Sequence, residues 1–232
     1  FQLPVMDYLK QSDDIGFASV VKGTVSYSHI KRNGKFQIDA YYKRYKGAVT
    51  YAQGQYGAEA FANAGSGYGY GVDVFWKNNV GLLEYWLTYS YNHTKKQYDY
   101  FSEAIDPPYV APHALNITLK YWIAPLRSMV GGNYNISSGT PYYSDASPYT
   151  QLGTTPFRNR LDLSWSYLPT SWIVIHFGCQ NVLGYKNIYG YEYSRTSAGV
   201  RRAVTATDTR FLFLGAFFTF SKSKTANELK NL

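Results

Sequence analysis

Tyrosine and arginine gather in three parts of this chain in a pattern that suits binding rather than bond-making. Tyr98 and Tyr100 form the first group, Tyr142 and Tyr143 the second, and Tyr189, Tyr191, Arg195, Arg201 and Arg202 the third. Aromatic rings stack on sugars and planar chelates, and an arginine can hold a carboxylate through two parallel hydrogen bonds. Each tyrosine has a second reading, as part of an aromatic belt where a membrane meets water or as loop packing. The pair Arg201-Arg202 suits a phosphate of lipopolysaccharide as well as a ligand.

Bond-making chemistry finds little support. Asp99 and Glu103 are spaced as a carboxylate pair could be, but they fall in a long connection and read as solvated loop charges. Gly65-Ser66-Gly67-Tyr68-Gly69-Tyr70-Gly71 looks like a phosphate-binding glycine run, yet no helical pattern follows it, as such a loop requires. Gly69 and Gly71 instead fall where a missing side chain admits a close neighbour or lets an aromatic ring lie flat. Cys179 is the single cysteine, within the apolar parity Ile173/Ile175/Phe177, so no internal disulfide exists and a small apolar role is expected. His29, His93, His113 and His176 are scattered, without ligand spacing. No catalytic residues, cofactor or metal are expected, and the chain does not read as an enzyme.

The elements that position these residues are strands. Leu161-Asp162-Leu163-Ser164-Trp165-Ser166-Tyr167 alternates apolar and polar, as do Val21/Gly23/Val25/Tyr27 against Lys22/Thr24/Ser26/Ser28. A strand sends successive side chains to opposite faces, so one face here suits lipid and the other water. Such stretches fall at about 17–30, 35–51, 66–77, 82–97, 112–124, 127–139, 157–168, 171–184 and 209–220. Short connections at 31–34, 78–81, 124–127 and 168–171 carry Asn, Gly and Pro, the residues of tight turns. Long ones, at about 52–65, 98–111, 140–156 and 185–208, alternate with them. The fold class is all-β: an antiparallel transmembrane β-barrel of about nine meander strands.

Composition agrees. Aromatics make up 19%, with 25 Tyr, while charged residues reach only 16%, against about 25% in ordinary soluble proteins. Mean hydropathy is −0.33, and no run approaches the ~20 apolar residues of a spanning helix. A barrel tolerates this, because half of each strand faces a polar lumen. The net charge of +8 is dispersed. Lys22, Lys120 and Arg160 share the polar parity with Asp39, Asp73, Glu84 and Asp162, a mixed-sign wall expected to face lumen or plug. That dispersal speaks against nucleic acid. Some of the basic excess suits the anionic lipid of a bacterial outer leaflet.

In bacterial barrels short turns face the periplasm and long loops the outside. The ninth strand then ends at the periplasmic rim, and residues 1–16 form an extracellular loop before the first. The barrel portion is 1–220, and 221–232 is a periplasmic C-terminal tail. No signal peptide is visible at Phe1-Gln2-Leu3-Pro4-Val5-Met6-Asp7. Nine strands place the two ends on opposite sides, whereas single-chain bacterial barrels have even counts. The chain is therefore expected to be a C-terminal part of a larger barrel. In the last strand Phe211, Phe213 and Phe217 sit on the lumen parity, although Leu212, Leu214, Phe218 and Phe220 already supply a lipid face. Periodicity does not orient that strand.

Gly215, Phe218 and Phe220 resemble the assembly signal at the end of outer-membrane barrels, although Leu214 replaces the usual polar residue. A longer ordered set is Gly67–Trp76, Tyr85–Tyr91, Ser137-Ser138-Gly139-Thr140-Pro141-Tyr142, Asn181–Ser194 and Ser221-Lys222-Ser223-Lys224-Thr225. Together these resemble the C-terminal barrel region of TonB-dependent outer-membrane receptors of the Bacteroidetes group. The resemblance implies a 22-stranded barrel with an N-terminal plug, importing a scarce nutrient of siderophore, cobalamin, glycan or peptide class. The implied partners are the plug and remaining strands, TonB through the plug region, outer-membrane lipid and lipopolysaccharide; a surface lipoprotein is a further candidate. A different class stays open: a structural or adhesive barrel, or a subunit completing a multi-chain barrel.

Overall fold

Alternation with a period of two allows only one kind of packing, side by side through the backbone, and the chain follows it. The structure, a computed structural model, describes residues 15–51, 61–97, 103–143, 151–193, 201–207 and 209–219. Its main sheet has nine strands: β1 (Ser19–Lys31), β2 (Gly34–Tyr51), β3 (Phe61–Val80), β4 (Leu83–Lys96), β5 (His113–Ile123), β6 (Ser128–Ser137), β9 (Arg158–Thr170), β10 (Ile173–Gln180) and β13 (Phe211–Phe218). All neighbours pair antiparallel, in sequential order. Two short hairpins, β7 (Pro141–Tyr143) with β8 (Gln151–Thr154) and β11 (Ile188–Tyr193) with β12 (Arg201–Thr205), lie inside stretches that read as plain loops. No helix among the described residues is long and apolar enough to cross a membrane, which leaves crossing by strands untouched.

Turn chemistry sets the short connections. Gly81 takes a left-handed φ of 60° at the β3–β4 turn, so β3 runs to Val80 and the turn falls later than the Asn-rich sequence suggests. Between β5 and β6 a single 3-10 turn, Ala124–Leu126, ends on Arg127 in the left-handed region, whose N–H returns to the Ala124 carbonyl. Pro169 belongs to β9 rather than to the turn after it. The register there slips between Ile173 and Ile175, so two residues of β9 oppose one of β10. A bulge is a place where the missing N–H of proline costs no ladder bond.

The register carries each parity across the sheet. Leu161, Leu163, Trp165 and Tyr167 share one face, with Leu163 opposite Gly132 and Cys179, and Trp165 opposite Val130 and Phe177. Leu163 is 45% exposed. Asp162, Ser164 and Ser166 occupy the other face, where Ser166 meets the His176 Nδ1 at 2.8 Å. Aromatics stand at both margins of the apolar face. Trp76 meets Tyr85 edge-on at 5.6 Å near the short turns, and Tyr70 lies 5.0 Å from His93 toward the long connections.

Lys22, Asp39, Asp73, Glu84, Lys120, Arg160 and Asp162 all fall on the polar face. Several of these charges are met locally: Lys77 pairs with Glu84, and Arg160 with Asp162 at 3.0 Å. Gln37 donates to Asp39 at 2.7 Å, and Lys120 stands 5.1 Å from the Trp86 ring centre. Among the described aliphatic, aromatic and cysteine residues only Cys179 is buried. A single layer with no core of its own needs another solvent for its apolar face.

β1 and β13 end the sheet order and do not pair with each other. The sheet is open, consistent with its being part of a larger barrel. Face assignment makes a testable contrast. Leu163→Arg should cost ~2–4 kcal/mol of folding stability in lipid vesicles if it lies at midplane depth. Ser164→Arg, set between Gly131 and Gly178 on the polar face, should cost under about 1 kcal/mol. Urea titration of the intact barrel in vesicles reads both, and equal losses would contradict the assignment.

Candidate functional site: the long-loop end of the polar face

Two local motifs shape this end. Asn181 sits at φ 49° directly after β10, a conformation asparagine tolerates better than most residues. Its amide donates to the Tyr185 carbonyl at 2.9 Å and to that of Thr209, and its side-chain oxygen accepts from the Tyr185 N–H at 3.1 Å. Its own N–H donates to Asp162 at 2.9 Å. One residue thus ties β9, through its backbone N–H, to the exit of β10 and the entry to β13, through its side chain. Arg210 lies flat against Gly184 and donates to the Val182 carbonyl at 3.0 Å, where any Cβ would stand 2.7 Å from the guanidinium. The Asn-Val-Leu-Gly run is a clasp.

The second motif is Ser138-Gly139-Thr140-Pro141. A Cβ on Gly139 would lie 1.6 Å from the Thr155 carbonyl oxygen, so only glycine fits. The Thr155 N–H donates to the Thr140 carbonyl at 2.9 Å, and the Thr140 N–H donates to the Thr155 hydroxyl at 2.9 Å. This anchors the β7–β8 hairpin. Asn187 brackets Asn159, accepting from its N–H at 2.9 Å and donating to its carbonyl at 2.8 Å, which lays the next hairpin along β9.

The two hairpins therefore meet. Tyr142 and Tyr191 are 4.6 Å apart between ring centres, and the Arg201 guanidinium stands 4.5 Å from Tyr191 and 5.6 Å from Tyr142. Arg201 also donates to the Tyr142 hydroxyl at 2.5 Å. Such a stacked cation is worth ~0.5–2 kcal/mol. Tyr189 packs beneath Arg158 at 5.6 Å. Below lies a cleft of about 350 Å³, lined by Asn116, Asn135, Arg158, Arg160, Asn187 and Tyr189 among others. Arginine forks, amides and a ring in one cleft can hold an oxygen-rich, anionic or planar molecule.

Tyr143 points elsewhere, donating to the Asp106 carbonyl at 2.6 Å. Burial, aided by the Asp106 carboxylate, raises its phenol above the ordinary value. Arg202 is opposite Glu192 in the β11–β12 hairpin. Tyr98, Tyr100, Arg195 and Phe220 lie outside the described residues. Gly215 falls between the Phe213 and Phe217 rings, and Phe218 neighbours Trp172 at 6.4 Å on the apolar face. The register places Phe211, Phe213 and Phe217 on the polar face, opposite Gln180, Gly178 and Val174. Gly71 has the expected aromatic partner: a Cβ there would meet the Tyr41 hydroxyl at 2.5 Å.

An amide ladder escaped the sequence reading. Asn116 donates to Asn135 at 2.6 Å and to Asn133 at 3.2 Å, and Asn133 donates to Thr118 at 2.7 Å. The polar parity of these residues was visible, but their meeting across β5 and β6 depends on register. Among the described residues no group of three His, Cys, Asp or Glu is placed to hold a metal.

Nine meander strands with one apolar face, open edges and a built-up loop end define a section of an outer-membrane type barrel wall. Residues 19–182 match the family model described as TonB dependent receptor-like, beta-barrel, so the chain belongs to that family, an outer-membrane fold. Solved structures agree in fold. The FrpB iron transporter from Neisseria meningitidis (F3-3 variant) matches with a TM-score of 0.70 at 11% identity, over 90% of this chain and 32% of that one. The ferric yersiniabactin uptake receptor FyuA from Yersinia pestis matches at 0.68 and 12%, over 88% and 30%. The copper transporter OprC matches at 0.67 and 14%, over 90% and 32%. The chain thus spans about a third of the length of the solved structures it matches. No curated protein matches it.

The clasp gives a direct test. Asn181→Ala leaves the Tyr185 and Thr209 carbonyls without their donor and puts alanine at a left-handed φ, and should cost about 2–4 kcal/mol. Limited proteolysis should then cut the 185–210 segment faster, while cutting at the β7–β8 hairpin stays unchanged.

Proposed function

We propose that this chain is the C-terminal wall of a TonB-dependent importer whose long connections face outward and collect the cargo. The family match over residues 19–182 carries this reading, and the convergence of Tyr142, Tyr191 and Arg201 supports it. The polar face, with Lys22, Asp39, Asp73, Glu84, Lys120, Arg160 and Asp162, then lines the lumen and meets the plug. A barrel completed to 22 strands supplies neighbours for β1 and β13, and TonB acts through the plug region. The ordered motifs favour a receptor of the Bacteroidetes group.

The cargo is a scarce nutrient of siderophore, cobalamin, glycan or peptide class, and Arg158, Arg160 and Arg201 favour one rich in anionic oxygens. The similar solved structures include an iron transporter, a ferric yersiniabactin receptor and a copper transporter, and metal chelates enter the cargo list by that analogy. Tyr189 and Tyr191 offer stacking surfaces above the cleft. Tyr98, Tyr100, Tyr143, Arg195 and Arg202 complete the proposed outward set. The C-terminal tail lies in the periplasm.

Growth of a deletion strain on defined iron, cobalamin, glycan and peptide sources identifies the cargo. Its uptake should stop when TonB is removed; uptake that persists would overturn the reading in favour of a passive or adhesive barrel. Arg201→Ala in the intact receptor should then weaken cargo binding about tenfold, the loss of one charge-assisted contact. Arg202→Ala should change it by less than about twofold.

A further inference from the structure

On the apolar face of the nine sheet strands, the Lys and Arg residues are Lys31, Arg44, Lys46 and Lys95. Lys31 stands at the short-turn end. The other three gather at the opposite end, on β2 and β4, and no Asp or Glu of those strands shares their face. A charge on a lipid-facing surface is costly at midplane depth and tolerated only near the interface, so a same-sign group there calls for an anionic neighbour.

The register fixes the spacing. Arg44 is opposite Tyr68, and Tyr68 is opposite Lys95, which puts both cations on one rung. Two strand intervals separate them by about 10 Å, and Lys46 follows two residues along β2, about 7 Å further on. The rung below carries Tyr42, Tyr70 and His93, the aromatic margin of the apolar face. The patch therefore begins where the apolar band stops. Lys95 is held by Asp106 at 3.2 Å, whereas the side chains of Arg44 and Lys46 have no hydrogen-bond or ion-pair partner among the described residues. Three cations against one carboxylate leave the patch positive.

We propose that Arg44, Lys46 and Lys95 bind the phosphate of a phosphorylated glycolipid in the outer leaflet. An arginine fork can take two oxygens of a phosphate monoester, the two ammonium groups add point charges, and the Tyr42 and Tyr68 hydroxyls suit sugar oxygens. The acyl chains then lie along Val72, Val74 and Ile38, below the aromatic margin on the same face. A phosphate monoester carries nearly two negative charges at neutral pH, which matches a cluster better than a phosphodiester does. The site rests on the proposed orientation, with the long connections outward.

The test uses the intact receptor in phosphatidylcholine nanodiscs doped with bisphosphorylated lipid A, with dephosphorylated lipid A or with phosphatidylglycerol, read by native mass spectrometry. Lipid A should be retained, and retention should fall about tenfold in Arg44→Gln/Lys46→Gln. The charge-conserving Arg44→Lys/Lys46→Arg should retain it within about twofold. Heat-modifiable gel migration checks that each variant is folded, and Arg44→Gln alone serves if the double variant is not. Equal retention by wild type and Gln variants, or of dephosphorylated lipid A or phosphatidylglycerol, would overturn the proposal. Separately, protease access to a tag inserted between residues 144 and 150 on whole cells reads the orientation, so an inverted barrel is distinguished from an empty site.

Discussion

Everything in this structure depends on where backbone N–H and C=O groups find partners. In hydrocarbon each unsatisfied group costs several kcal/mol, so a sheet can cross only if every strand has two neighbours. The seven inner strands of the main sheet meet that requirement, and β1 and β13 meet it on one side only. No core compensates among the described residues, where Cys179, apart from Pro107 and Pro141, is the one buried residue of the aliphatic, aromatic and cysteine set. Stability must come from the ladder and from lipid against the apolar face, and the open edges are consistent with a larger barrel that would supply their neighbours.

The polar face shows how a membrane sheet keeps charges without a core. Lys77 and Glu84 pair, Lys77 and Lys120 share the Trp86 ring, and Arg160 turns to Asp162 two positions along its own strand. Each solution is local and crosses at most one strand boundary. Asparagines form the ladder on β5 and β6, where amides both donate and accept and so avoid the cost of an unmatched charge. A polar wall arranged this way can be wetted or contacted without losing its own bonds.

The strands were legible because alternation with period two is a direct imprint of a two-sided environment. Leu161 to Tyr167 displays it without exception. Hairpins β7–β8 and β11–β12 were not, since Pro141–Tyr143 is only 3 residues long and Arg201–Thr205 is largely exposed on both faces, so no parity develops. The bulge at Pro169 hid for a similar reason: proline marks turns and bulges alike. Tyr142, Tyr191 and Arg201 could be named as binding types, yet their meeting spans 59 residues between Tyr142 and Arg201 and depends on the Gly139 and Asn187 anchors. The puzzling phenylalanines of β13 were placed by pairing with β10, information that a lone strand does not contain.

β3 is far longer than a bilayer requires. Its 20 residues at about 3.4 Å each, tilted near 40°, rise roughly 50 Å, about twice the ~25 Å apolar band of such barrels. The excess is borne by β2 and β3 together, which stay paired as far as Tyr51 and Phe61. On the outward parity that stretch carries Ala62, Ala64 and Ser66, small residues that neither seek lipid nor avoid water. The paired strands form an arm that runs past the apolar band, its ladder interrupted by register shifts between Lys46 and Ala48 and between Ala48 and Thr50. Bulges bend and twist a ribbon, so anything fastened there follows the wall through a jointed arm. With the long connections outward, as proposed above, a large particle approaching the cell would meet this arm before it met the bilayer.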